Sequence, residues 1–249
     1  SSQRGELTPQ YVAKAWLNYA REGIGLYWWG GYGVSTEHTA YINLAHGIPA
    51  PLSGSATTNG KLLAEQIGGQ IFIDTWGLIW PGRPDKAADY AQAAASVSHD
   101  GEGLYGARFI ASCIAQAFCE RDIYQVVERA LEEIPSESLY AQVSRAVIAH
   151  HQKHPEALVY GAGDFNRTVE IATMCGWDTD CNAGNVGTIL GVLTGLDGIA
   201  DHYRAPVNDG VVLSGISGYL NILDLPTYSK ELARTGYALA GEEIPEILK

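Results

Sequence analysis

Three side chains with oxygen donors lie close together in the segment GWDTDCNAGNVG, which spans residues 176–187. Asp178, Asp180 and Asn182 supply the hard oxygen ligands that Mg²⁺ and Ca²⁺ prefer in proteins. Gly176 permits a tight turn just before them, and the residues that follow are predicted to form a helix. The segment is therefore predicted to bind a divalent metal ion.

Two alternatives compete with this prediction. An EF-hand loop needs glycine at its sixth position and glutamate at its twelfth, where this chain has Ala183 and Ile189, so an EF-hand is excluded. The other alternative is that Asp178 or Asp180 only caps the following helix, where the first N–H groups lack partners. One aspartate would satisfy a cap, so the second aspartate and the amide favour the metal site.

Two further segments contain candidate substrate contacts. SGSATTNG, at residues 53–60, carries N–H groups and hydroxyls that could bind an anion, with an ordinary surface turn as the alternative. His99, in VSHDG, could contact a substrate, although a lone histidine between two helices is more often a cap or a packed neutral ring.

Residues 27–38 offer a second group of candidates. Trp28 and Trp29, in YWWGGYG, present aromatic faces that suit a planar ligand, and core packing explains each of them equally well. Glu37 and His38, in STEHTAY, could supply an acid–base group. A helix start capped by Ser35 or Thr36 explains that pair without any chemistry.

Composition limits the class of protein. The chain has 249 residues, of which 46% are hydrophobic and 18% charged, as in a folded globular protein. Its formal net charge of −12 argues against a nucleic-acid partner, which needs a basic surface. Because we find no signal-peptide pattern, and the apolar run at 186–196 is too short to cross a bilayer, we expect a cytoplasmic protein without a membrane partner. The four cysteines fit neither a zinc knuckle nor a disulfide scaffold and are predicted to be reduced and buried.

Helix signals dominate the chain, and almost no segment is convincing as a strand. Residues 23–60 and 201–225 are rich in turn formers and are predicted to be irregular. Gly187, Gly191 and Gly195 recur every four residues, which predicts a buried helix whose glycine face a neighbouring backbone approaches closely. We predict one all-α domain over residues 1–249. Its helices are a first one from Thr8-Pro9, then 61–79, 84–98, 102–120, 122–134, 137–151, 164–176, the helix after the aspartates, and 227–240.

The stretch GWDTDCNAGNVGTILGVLTGLDGI closely resembles the C-terminal signature of the ADP-ribosylglycohydrolase family, of the dinitrogenase reductase-activating glycohydrolase type. That signature reads GGDTDTNA before a glycine-rich helix, and the SGSATTNG and VSHDGE segments extend the resemblance over most of the chain. The resemblance implies an all-α orthogonal multi-helix bundle. It also implies a binuclear Mg²⁺ centre that binds the ribose of an ADP-ribosyl substrate and assists cleavage of its anomeric bond.

The same resemblance assigns roles to individual residues. It places metal ligands with catalytic roles at Asp178 and Asp180, and it puts Cys181 where the family has a ligating threonine. The diphosphate-binding loop and the substrate histidine would include Ser53, Gly54, Ser55, Asn59, Gly60 and His99.

Two departures from the family pattern limit these expectations. A neutral thiol at Cys181 is a poor ligand for Mg²⁺, which puts the second metal or the usual substrate in question. The family's N-terminal acidic motif, which resembles TDD and completes the metal site, is not found in these 249 residues. We therefore expect the domain to be incomplete at its N-terminus.

The predicted function is a Mg²⁺-dependent hydrolase that cleaves the N- or O-glycosidic ribosyl bond of ADP-ribosylated proteins or ADP-ribose-like small molecules. One or two Mg²⁺ ions are expected, with Mn²⁺ as the alternative ion. Two other functions stay open: a hydrolase of small ribosides or nucleosides, and a non-catalytic relative that binds ADP-ribose.

Overall fold

A computed structural model describes residues 6–21, 29–153, 161–212 and 222–249 of the chain. Within these ranges the protein is all-α apart from one small two-stranded sheet, which confirms the predicted fold class. The helices are α1 Pro9–Tyr19, α2 Thr36–Ala45, α3 Ala56–Asn59, α4 Lys61–Ala64, α5 Gly68–Ile71, α6 Asp74–Leu78, α7 Pro84–Ala95, α8 Glu102–Ala117, α9 Ile123–Leu131, α10 Leu139–Lys153, α11 Phe165–Met174, α12 Thr179–Thr194, α13 Asp201–Arg204 and α14 Leu225–Ala240. The strands are β1 Gly210–Val212 and β2 Ile222–Asp224.

The chain divides into two compact units. Unit 1 consists of Ser1–Gly69, Gln92–Leu104 and Arg204–Lys249, and unit 2 consists of Gln70–Ala91 and Tyr105–Tyr203. This division shows which parts of the chain are compact, and it does not show that either unit folds on its own. The single domain predicted over residues 1–249 therefore stays a prediction.

In unit 1, α1 and α2 contribute to a small apolar core. Its buried members are Ala13, Leu44, Ala50 and Val97, and the side chains of Val12 and Trp16 pack against them. Helix α1 begins as predicted, because the Thr8 side chain accepts a hydrogen bond from the Tyr11 N–H and a proline follows at the first helical position.

Helix α2 lies in the segment that was predicted to be irregular, so that prediction was wrong for residues 36–45, and the alternative of a helix start capped by Ser35 is confirmed. The glycines and prolines of residues 23–60 lie outside TEHTAYINLA, and the Ser35 hydroxyl accepts a hydrogen bond from the His38 N–H at 3.1 Å. Several buried α2 side chains are polar and bond to neighbouring groups. Asn43, for example, donates to the Ser53 carbonyl at 2.9 Å.

The predicted helix over residues 61–79 is instead three short helices, α4, α5 and α6. The spacing of Leu63, Ile67 and Ile71 suggested one apolar face, yet Ile67 and Ile71 are 41% and 40% exposed. Gly68, the first residue of α5, packs so closely within unit 1 that a Cβ there would lie 2.1 Å from Glu37 Oε1. The apolar spacing therefore does not mark a buried helix face here.

The stretch 201–225, also predicted to be irregular, contains α13 and the two strands. Strand β1 pairs with β2 in antiparallel fashion, with Gly210 opposite Asp224 and Val212 opposite Ile222. Asp224 then caps α14 by accepting a hydrogen bond from the Thr227 N–H at 2.7 Å.

Small residues pack the core of unit 2. Ala87, Ala88, Ala107 and Ala111 are fully buried on α7 and α8. Their small volume lets helices approach closely, and Gly77 of α6 is an extreme case, since a Cβ there would lie 2.6 Å from the Cβ of the buried Ile114. Helices α9 and α10 add Val126, Ala130 and Ala141 to the buried set.

Among the described residues no neighbouring backbone lies within 4 Å of the glycine face of α12, so that prediction was wrong. A Cβ on Gly187 would meet side chains of α11, at 3.8 Å from Val169 and 3.9 Å from Phe165. Gly195 lies beyond the helix, where its positive φ of 69° ends α12. The glycines thus make room for the bulky side chains of α11.

The cysteine prediction holds only in part. All four cysteines lie in the described ranges and none forms a disulfide bond, but only Cys113 is buried, whereas Cys119 and Cys175 are exposed. Among the described residues no helix combines the length and the apolar character needed to cross a membrane.

Replacement of Gly77 by alanine should destabilise the protein by about 1–3 kcal/mol, because the new methyl group overpacks against Ile114. The matched control is Gly184→Ala on α12, where nothing lies within 4 Å of the added Cβ. That variant should be neutral or stabilised by up to about 1 kcal/mol. Urea unfolding measures both free energies, and equal effects of the two substitutions would contradict the packing of Gly77.

Candidate metal centre and substrate site

The turn between α11 and α12 carries the predicted metal ligands. Helix α11 starts at a cap in which Asp164 accepts a hydrogen bond from the Arg167 N–H at 2.7 Å, and it ends one residue before Cys175. Gly176 then adopts a positive φ of 72°, which reverses the chain at little steric cost. The turn thus leads directly into the DTDC segment at the start of α12.

Asp178, Asp180 and Cys181 form a compact group of potential ligands in unit 2. Each offers one ligand atom, and these atoms all lie within 4.8 Å of one another. The Asp178 Oδ2 atom is buried and has no hydrogen-bond partner among the described residues. A buried carboxylate oxygen without a partner is costly, and a cation would remove that cost.

Asp178 occupies the cap position of α12 but does not cap the helix. It has a left-handed backbone, with φ 46°, and its side chain forms no cap hydrogen bond. At the other aspartate caps in the described ranges, Asp122, Asp164 and Asp224, φ lies between −87° and −80° and each side chain accepts a backbone N–H bond. The capping alternative therefore does not explain Asp178.

Asn182 closes the turn. Its amide nitrogen Nδ2 donates to the Trp177 carbonyl at 3.2 Å, and its backbone N–H donates to the Asp178 carbonyl at 3.1 Å. These two bonds hold the residues on either side of the Trp177–Asp178 peptide. A ligand role for the Asn182 oxygen stays a prediction.

A buried hydrogen-bond network fixes α12 within unit 2. Asn185 exchanges two bonds with Gln70, because its Nδ2 donates to the Gln70 carbonyl and its Oδ1 accepts from the Gln70 side chain, both at 3.1 Å. The same Nδ2 donates to Asp74 Oδ1 at 3.1 Å, and Thr188 donates to Asp74 Oδ2 at 2.6 Å. Tyr140 completes the network by donating to Gln70 Oε1 at 3.1 Å.

Asp74 and Asn185 were not predicted as important residues. Asp74 lies in QIFIDTW, where helix and strand patterns conflict, and Asn185 lies inside the signature without a spacing that distinguishes it from its neighbours. A carboxylate and an amide within otherwise apolar segments were the available signals. Only the fold shows that they meet.

In unit 1, the loop predicted to bind a diphosphate is bonded to protein groups. Ser53 is fully buried and donates to the Val97 carbonyl at 2.7 Å, and a Cβ on Gly54 would lie 2.3 Å from the Ser98 carbonyl carbon. Ser55 caps α3 by accepting from the Thr58 N–H at 3.2 Å. Gly60 ends α3 and starts α4 with φ 82°.

Asn59 and Asp100 extend these internal bonds. Asn59 accepts from Asn43 at 2.8 Å and donates to the Ser53 carbonyl at 2.8 Å. Asp100 Oδ2 accepts the Ala56 N–H at 3.0 Å, so a carboxylate of the protein occupies the start of α3. The substrate role of residues 53–60 stays a prediction.

Glu37 and His99 approach each other in the interior of unit 1. Their Oε1 and Nε2 atoms are 3.8 Å apart, and His99 Nδ1 lies 2.8 Å from the Ser98 hydroxyl. Burial lowers the pKa of His99 to about 3 and raises the pKa of Glu37. At neutral pH His99 is therefore uncharged, in keeping with the packed neutral ring that the sequence left open.

Trp29 packs against two rings of α2. Its ring centroid lies 5.1 Å from that of His38 and 5.3 Å from that of Tyr41, both edge-on. Packing, one of the two predicted roles, therefore accounts for Trp29. Trp28 lies outside the described residues.

The predicted site residues form two sets. Unit 2 brings together Asp178, Asp180 and Cys181. Unit 1 contains Glu37, His99 and the loop 53–60, and close contacts within that unit join Glu37 to His99 and Gly54 to Ser98. The two sets correspond to two groups of sequence motifs, namely the DTDC segment in unit 2 and the STEHTAY, SGSATTNG and VSHDG segments in unit 1.

Comparison with family models decides the wider relationship. The model of the ADP-ribosylglycohydrolase family matches residues 1–231, which is most of the chain. The chain belongs to the ADP-ribosylglycohydrolase family. Membership supports a glycosidic hydrolase, and it agrees with the all-α architecture of the described residues. Searches among curated proteins and among solved structures gave no significant match.

The pKa of Asp74 provides a test of the hydrogen-bond network that this residue forms with Asn185 and Thr188. Burial raises this pKa above the ordinary 3.8, so the native state binds the proton more tightly than the unfolded state does. The charged carboxylate lowers stability above the raised pKa, and this cost disappears as pH falls through the raised value toward 3.8.

Asp74→Asn should remove this pH dependence. As the pH falls from about 7 to about 4, the unfolding free energy of the wild type should rise relative to that of the variant. Asp201→Asn, which changes an exposed aspartate of the same unit, is the control. Urea titrations across this pH range supply the measurement, and a difference that stays constant for Asp74→Asn would contradict the raised pKa.

Proposed function

We propose that this protein is a metal-dependent hydrolase that cleaves the ribosyl bond of an ADP-ribosyl or related ribosyl substrate. One observation carries the proposal, namely the buried Asp178 Oδ2 atom without a hydrogen-bond partner beside Asp180 and Cys181. Family membership supplies the reaction class, which is glycoside hydrolysis.

Two of the three potential ligands are carboxylates, which suit a hard divalent cation. Asp178 and Asp180 would hold Mg²⁺ or Mn²⁺ through carboxylate oxygens, and Cys181 would be a third ligand for the softer Mn²⁺ more readily than for Mg²⁺. When bound, such an ion polarises the ribose hydroxyls and lowers the pKa of a bound water.

The residues of the chain contribute in ways that do not depend on the number of ions. The Asp178 carboxylate forms no cap hydrogen bond to the helix N–H groups, and Asp180 is exposed to solvent. Asp178 and Asp180 would hold the ion that contacts the ribose hydroxyls, and they would thereby orient the ribose at the bond to be broken.

Glu37 is the candidate acid–base residue in unit 1. Burial raises the pKa of its carboxyl group, which favours the protonated form that a general acid requires. His99 beside it is uncharged and is proposed as a positioning residue, since its Nε2 atom lies 3.8 Å from Glu37 Oε1.

A second candidate function is the hydrolysis of small ribosides that lack a diphosphate. Asp100 favours it, because its carboxylate already accepts the Ala56 N–H in the loop predicted to bind a diphosphate. Rates on ADP-ribosyl substrates and on plain ribosides separate the two candidates, since only the first should fall when the diphosphate is removed. Binding of Mg²⁺ and ADP-ribose without turnover would support the non-catalytic alternative.

Asp180→Ala should abolish most activity and weaken metal binding by at least about 10-fold, because even the loss of an outer-shell partner usually costs about 10- to 100-fold in metal affinity. Glu170→Ala is the matched control, since Glu170 is an exposed acidic residue of the neighbouring helix α11. Activity is measured as release of ribose or ADP-ribose with Mg²⁺ present, and affinity by calorimetry. Unchanged activity in Asp180→Ala would refute the assigned role.

Cys181→Thr should raise the affinity for Mg²⁺ by about tenfold relative to Mn²⁺, because it replaces a soft thiol by a hard hydroxyl oxygen. Calorimetric titration with each ion gives the ratio. Cys175→Thr is the control, because Cys175 is an exposed cysteine of the same turn outside the ligand group. The same ratio in wild type and Cys181→Thr would mean that Cys181 is not a ligand.

A further inference from the structure

Trp177 is a large apolar side chain that unit 2 leaves in water. Its side chain lies in the turn before α12 and is 83% exposed. Isolated exposed apolar residues are common on proteins, so exposure alone carries no function. The position of Trp177, directly before Asp178, is what distinguishes it.

The backbone that carries this ring is held in place. Asn182 donates to the Trp177 carbonyl at 3.2 Å, and the flanking residues Gly176 and Asp178 both have positive φ, at 72° and 46°. Consecutive Cα atoms are only about 3.8 Å apart, so the backbone of Trp177 is anchored next to Asp178, the first member of the ligand group of Asp178, Asp180 and Cys181. Because an aromatic side chain has only two rotatable bonds, a ring on such a backbone loses little entropy when a ligand stacks on it.

We propose that Trp177 is a specificity-determining residue that stacks on a neutral, planar heteroaromatic leaving group, so that the substrates include ribosides with an aglycone of the nucleobase type. The inference rests on the proposed function, since a ribose held by Asp178 and Asp180 brings the substituent on its C1 atom next to the adjacent residue. The net charge of −12 disfavours an anionic leaving group.

The test compares a planar with a saturated leaving group on the same ribose. Inosine and methyl riboside are the probes, with Mg²⁺ present, for the wild type, Trp177→Gly and Trp177→Phe. Trp177→Gly should lower kcat/KM on inosine by about tenfold, mainly through a higher KM, while Trp177→Phe keeps most of the activity. On methyl riboside all three proteins should agree within about twofold, because a methyl group offers no stacking surface.

Controls separate stacking from folding. Met174→Ala changes another apolar side chain near this turn, one that is 84% exposed, and should leave both substrates unaffected. All variants should keep the wild-type Tm and Mg²⁺ affinity, because an exposed ring contributes little to folding.

The outcomes distinguish this inference from the proposed function. If Trp177→Gly affects both substrates equally, or neither, the stacking role is overturned while hydrolysis stands. If the wild type hydrolyses no riboside, calorimetry with inosine and Mg²⁺ decides: binding that Trp177→Gly weakens about tenfold supports stacking, and equal binding or no binding overturns it.

Discussion

The amide of Asn185 is the constraint on which the candidate metal centre depends. It is 3% exposed, and its three hydrogen bonds join α12 to the Gln70 backbone, the Gln70 side chain and the Asp74 carboxylate. Each of these partners is costly to bury alone, so the arrangement is stable only when all of them meet. Rotation or sliding of α12 would break several bonds at once, and the DTDC segment at its start is fixed by the same contacts.

Electrostatics explains why such an anchor is needed. The chain carries an excess of negative charge, and the ligand group adds two neighbouring carboxylates that repel each other in the absence of a cation. Helix α12 holds Asp180 in its first turn, and the turn residues hold Asp178, so the repulsion cannot be relieved by moving the two apart. A bound cation would remove this repulsion.

The elements that the sequence predicts well are those with strong local signals. Caps at Thr8, Asp122 and Asp164 mark helices that the structure contains, because a cap acts within one turn of the chain. The DTDC ligand group could likewise be proposed from spacing alone. The missing capping bond at Asp178 could not be predicted in this way, because it depends on the left-handed φ of that one residue.

Errors arose where contacts distant in sequence decide the outcome. The spacing of Ile67 and Ile71 resembles a buried face, but Gly68 must lie against Glu37 and His99, and both isoleucines remain exposed. The glycines of α12 suggested a backbone contact, whereas Phe165 and Val169 fill that space. The polar bonds of Ser53 and Asp100 join segments more than forty residues apart, and no local pattern predicts such pairs.

The left-handed backbone at Asp178 has a thermodynamic consequence. A non-glycine residue in this region is strained by about 1–2 kcal/mol, and the unsatisfied oxygen of the same residue adds to the cost. An ion that binds only the native turn offsets both terms, and by mass action it stabilises the folded state in proportion to the logarithm of its concentration. The lifetime of this turn against local opening and proteolysis would then follow the free concentration of the ion, so the protein would be most durable under the conditions in which it is active.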